Sequence, residues 1–170
     1  KFYQPPTLNM LSPLGFKFFI KKLPNVNFLV QSTAIPQVTM GNAEMPTPFV
    51  TIPLPGDHIQ YSPLSIQFKI DEDMNNYIEL YNWFKGLGFP NSFTESAEVY
   101  KSGAVSDASL TILNSAMNPS AVVTFYNMFP IGISDIPFDS RNTDVVYVEA
   151  TATFKYQWFD IKGVSASSWS

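Results

Sequence analysis

A chain of 170 residues with 45% hydrophobic and 15% aromatic residues fits one domain with a core of its own, and without cysteine that core rests on neither disulfides nor thiolate metal sites. The missing cysteine also excludes thiolate catalysis and leans toward folding in a reducing cytoplasm. A net charge of −4, with only 14% charged residues, argues against tight binding to a nucleic-acid backbone and points to a surface largely covered by partners.

The first residues, 1–13, carry Pro5, Pro6 and Pro13 and read as an extended arm without a core. No secretory signal pattern opens the chain, and the absent start methionine implies an N-terminus that is trimmed or lies ahead of the given sequence. Leu14 to Ile20 and Val26 to Ser32 are β-prone runs separated by Lys21-Lys22-Leu23-Pro24-Asn25, which predicts a hairpin. Six prolines from Ile35 through Pro63 rule out a central strand over that length. The segment is expected to be an excursion whose middle, Phe49 to Leu54, pairs at an edge. Val50, Ile52 and Leu54 alternate with Thr51 and Pro53 as in an interface strand, so Phe49, Val50, Ile52 and Leu54 are the predicted subunit contact.

Ser62 to Asp71 reads as a half-buried strand feeding an amphipathic helix. Met74, Tyr77, Leu80, Tyr81, Phe84 and Leu87 form its predicted apolar stripe. Asp71-Glu72-Asp73 suits the N-terminal turn, and Gly86 and Gly88 the stop. Phe89 to Ala104 reads as irregular. Strands follow at Ala108 to Leu113 and Ala121 to Tyr126, with a turn at Asn118-Pro119. From Val145 to Phe159 alternation puts Val146, Val148, Ala150, Ala152, Phe154, Tyr156 and Trp158 on one face. A strand that long must bend or cross between sheets. Residues 14–160 are thus expected to form one mainly β domain, an antiparallel β-barrel or sandwich with one flanking α-helix, and residues 161–170 a flexible tail.

Signals for chemistry are weak. His58 is the only histidine, and no Gly-x-Ser-x-Gly elbow, Gly-rich phosphate loop or EF-hand spacing occurs. Glu79, Glu95, Glu98 and Glu149 could meet as a glycosidase pair, and Trp83 and Trp158 could stack sugars in a monomeric carbohydrate-binding module. Both readings are weaker than core and surface roles for the same residues. Neither a catalytic residue nor a metal or other cofactor is implied, and the longest apolar runs are too short to span a bilayer.

Four stretches resemble the tail tube proteins of contractile-tailed bacteriophages, a group that includes the baseplate tube initiators. They are Phe28 to Pro36, Ser62 to Phe84 in a form nearest the initiators, Phe129-Pro130-Ile131-Gly132-Ile133-Ser134, and Val145 to Phe159. The resemblance implies a structural virion subunit rather than an enzyme, assembled in the host cytoplasm. It implies a hexameric ring, contacts with neighbouring tube, sheath or baseplate proteins, and a lumen through which DNA passes without specific binding. The leading arm and the Ile35 to Pro63 segment depart from the plain tube pattern and leave open a repeating subunit, an initiator or a terminator. A tube subunit of a related contractile injection system shares the same resemblance.

Overall fold

The protein is described by a computed structural model covering residues 9–88, 103–141, 143–144 and 146–164. Its spine is β7 (Pro119–Ile133), a strand long enough to serve two sheets. One edge pairs antiparallel with β6 (Ser106–Leu113), which pairs with β1 (Phe16–Ile20). Along the other edge run β9 (Trp158–Gly163), opposite Ala121 to Tyr126, and β8 (Glu149–Lys155), opposite Phe129 to Ile133. β8 continues to β5 (Leu64–Lys69), and β5 to β2 (Val30–Thr33). The wall thus runs β1-β6-β7-β8-β5-β2 and, among the described residues, β1 and β2 are not paired with each other. Among the described residues the sheet therefore stays open between β1 and β2.

Both long strands change face at one level. Asn127 adopts φ 53°, its N–H donates to Asp107 Oδ1 (3.2 Å), and its Nδ2 donates to Gln157 Oε1 (2.6 Å). This extra residue shifts the buried set from Val123 and Phe125 to Met128 and Pro130. Opposite it, the predicted single strand from Val145 breaks between β8 and β9. Ala150, Ala152 and Phe154 point inward as expected, whereas Trp158 turns outward and Phe159 packs inward. The alternation failed there because a break at Tyr156-Gln157 inverts the parity that follows it. β9 continues to Gly163, beyond the expected end of the domain at residue 160.

The core between the two halves of this wall contains Phe68, Phe125 and Phe154, all fully buried. Burial of each contributes about 1.5–3 kcal/mol. Helix α2 (Asn75–Gly88) lies against it through Leu80 and Trp83, and the Trp83 ring centroid stands 6.2 Å from that of Phe154. The predicted stripe is partly rotated, because Tyr81 and Leu87 are exposed while Asn76, Trp83 and Gly86 are buried. Two hydrogen-bonding needs explain the rotation. Trp83 Nε1 reaches the Ala104 carbonyl (3.1 Å), and Asn76 Nδ2 the Lys69 carbonyl at the end of β5 (2.7 Å). Asp71 accepts the Asn76 N–H (3.3 Å) ahead of the helix, while Glu72 and Asp73 are exposed in the preceding turn.

The predicted β1–β2 hairpin is replaced by a helical turn, α1 (Pro24–Asn27), with proline in its first turn. Residues 21–29 instead carry the chain from one edge of the wall to the other, so β1 and β2 pair with β6 and β5. The irregular stretch expected from Phe89 lies, up to residue 102, outside the described residues.

Candidate assembly interface

Residues 38–61 form a second sheet, the hairpin of β3 (Val38–Pro46) and β4 (Thr51–Tyr61). The excursion expected from the prolines is present, but it is more regular than proline density suggested. Met45 pairs with Ile52 and Ala43 with Leu54, so these four share one face; Glu44, Pro46, Thr51 and Pro53 share the other. Directly opposed antiparallel residues must project to the same side, so the hairpin has an apolar and a more polar face. Every residue from Val38 through Pro55 is exposed.

The hairpin is fastened at its base and pinned at its tip. At the base, Ser62 N–H donates to the Gln37 carbonyl (3.0 Å). Tyr61 packs edge-on against Phe159 at a centroid distance of 5.3 Å and lies 5.9 Å from Tyr156. The Tyr156 hydroxyl donates to the Ser62 carbonyl (2.8 Å), and its pKa is pushed up to about 12 by burial and then by the neighbouring Tyr61. At the tip the Thr47 hydroxyl donates to the Val50 carbonyl and accepts the Val50 N–H (3.1 Å). Midway, β3 and β4 approach so closely that a Cβ on Gly56 would fall on the Gly41 carbonyl oxygen.

The four residues predicted as a contact lie on this arm. Phe49, 94% exposed, and Val50 occupy the tip; Ile52 and Leu54 lie on the apolar face. The structure adds Met45, which no alternation in sequence joins to Ile52, because pairing across the turn brings them together. It also leaves Phe19, Phe28, Phe138 and Tyr147 exposed on the body. Aromatic residues are enriched at subunit interfaces relative to the rest of a protein surface.

Four of the residues weighed for chemistry, Trp83, Trp158, Glu79 and Glu149, are otherwise engaged. Trp83 is only 3% exposed and sits beneath Lys22 Nζ at 5.2 Å, so it offers no face to a sugar. Trp158 stacks on Tyr126 with centroids 4.2 Å apart. Glu79 accepts the Asn25 N–H (3.3 Å), and burial holds its pKa above the ordinary carboxylate value. Glu149 accepts from Gln67 Nε2 (2.8 Å). Glu95 and Glu98 lie outside the described residues. Among the described residues no cluster of three or more His, Asp or Glu side chains is placed to hold a metal ion, and no helix is long and apolar enough to cross a membrane.

An open β-wall with one flanking helix and a projecting two-faced hairpin matches a known architecture, and a family model described as phage tail tube protein matches residues 2–162. The chain belongs to the phage tail tube protein family. That family is structural, and its membership makes the chain a tail component. The chain is 24% identical over 140 residues to the tail tube terminator protein of Enterobacteria phage T4, covering 82% of this chain and 73% of that one. The fold resembles a chain in the sheath–tube complex of the extracellular contractile injection system PVC, with TM-score 0.67, 12% identity and coverage of 92% and 94%. It also resembles a chain in the sheath/tube terminator structure of the same system, with TM-score 0.66, 14% identity and coverage of 92% and 100%.

Proposed function

We propose that this tail tube protein assembles as a hexameric ring that ends the tube of a contractile tail, with the β3–β4 hairpin as its principal arm to neighbouring subunits. The observation that carries the ring is the hairpin: it exposes Met45, Ile52 and Leu54 on one face and Phe49 at the tip, an arrangement that gains free energy only when covered. The likeness to the T4 terminator supports the terminal position over a repeating or initiating ring. Phe49, Val50, Ile52 and Leu54 are the contact residues in this reading. The ring meets tube and sheath proteins of the virion tail, and an acidic to neutral lumen lets the genome leave without adhering.

Mass photometry across concentration, with negative-stain images of the same sample, tests the ring: six-subunit particles support it, and a monomer at every concentration overturns it. Adding the protein to tubes of its cognate tube protein tests the terminal position. Tubes that stop growing with one added ring at an end support a terminator, whereas tubes lengthened by the protein itself assign it to the repeating subunit. The same fold in a contractile injection system predicts capping of that system's tube instead.

A further inference from the structure

The open seam of the wall offers a specific seat for the hairpin. Leu113 N–H donates to the Gly15 carbonyl (2.9 Å) and Lys21 N–H to the Asp107 carbonyl (3.2 Å), so the odd-numbered residues of β1 bond toward β6. By the alternation of an antiparallel ladder, Phe16, Phe18 and Ile20 present their backbone groups to the opposite edge. At Ile20 both groups are taken by the Asn27 side chain. At Phe16 and Phe18 no strand pairs on that edge among the described residues. Beside these rungs lies a groove of ≈ 730 Å³ lined by Phe16, Phe18, Phe28 and Val30, with Lys17 on its outer side.

We propose that this groove receives the β3–β4 hairpin of a second copy of the chain, β3 lying along β1 and the hairpin completing the wall. Three observations select that occupant. Lys17 lines the groove and Gly15 to Gln31 carries no acidic residue, while Ser32 to Phe68 carries Glu44 and Asp57 and no lysine or arginine, so arm and seat are opposite in charge. The hairpin's two faces match the wall when β3 runs parallel to β1. Pro53 and Pro55 cannot donate to Glu44 and Asn42, so the backbone groups of Asn42 and Glu44 face the free edge and bracket Phe16, which puts Ala43 and Met45 on the side of Phe16 and Phe18 and Glu44 beside Lys17. β3 is the strand able to pair, because its one proline, Pro46, ends it, whereas Pro53 and Pro55 remove donors from β4. A contact of this kind runs head-to-tail and closes a ring when the rotation per copy permits.

The inference rests on the ring reading above, and a cross-linking experiment separates the two. The chain has no cysteine, so Lys17→Cys and Glu44→Cys variants can be mixed and oxidised cleanly. A covalent dimer in the mixture, absent from either variant alone, is the expected result. Wild-type rings without that cross-link would overturn the seating and leave the ring intact; a wild-type monomer would overturn both. In a second arm, Lys17→Glu is expected to raise the concentration for half-assembly about tenfold, with Glu44→Lys in the same chain restoring most of the loss. Equal behaviour of the single and double charge variants would also overturn the seating.

Discussion

Asn27 closes one end of strand β1 with its side chain: Oδ1 accepts the Ile20 N–H at 2.7 Å and Nδ2 donates to the Ile20 carbonyl at 3.0 Å. A single amide thereby acts as a rung of β-ladder where the strand has no neighbour among the described residues. The contact also holds α1 against β1 and sets where the open seam begins. Asn27→Leu leaves both Ile20 groups without this partner and is expected to lower the unfolding free energy by about 1–3 kcal/mol. Urea unfolding checks it, and an unchanged midpoint would show that solvent replaces the amide without cost.

Tyr156 makes stability fall at alkaline pH. Its folded pKa of about 12 exceeds the ordinary value of 10, so the folded protein holds a proton that the unfolded chain releases. The stabilisation is complete below pH 10 and is lost as pH rises from 10 through 12. Tyr156→Phe should flatten this part of the pH–stability profile relative to wild type. It should also lower neutral-pH stability by about 1 kcal/mol through loss of the bond to Ser62. Parallel profiles for the two proteins would contradict the assignment.

Gly56 and Gly41 predict opposite outcomes for one added methyl group. A Cβ on Gly56 meets the Gly41 carbonyl oxygen, while a Cβ on Gly41 meets nothing within 4 Å. Gly56→Ala should distort the hairpin and impair assembly with little change in the unfolding of the body. Gly41→Ala should assemble normally. Equal assembly of the two variants, measured by mass photometry, would show that the hairpin absorbs the clash.

Val50→Asp with Ile52→Asp tests the arm directly. Both residues are exposed, so the double variant should keep the monomer's circular dichroism and melting temperature while losing assembly. Undiminished rings would remove these residues from the contact.

The sequence by itself determined strands β5 and β8, because alternation at Leu64, Ile66 and Phe68 and at Ala150, Ala152 and Phe154 records one face packed on a core. It also marked the helix and the exposed arm, since prolines forbid a central strand and apolar residues without a core require another cover. Tertiary structure alone decided the pairing. The run from β1 to β2 looks like a hairpin locally, yet each strand has a distant partner, and only the completed wall creates the seam and the role of Asn27. The same holds for the inverted parity after Tyr156, the rotated face of α2 and the meeting of Met45 with Ile52. Periodicity reports which side of a segment is buried; it does not report against what, because that is set by contacts between residues far apart in the chain.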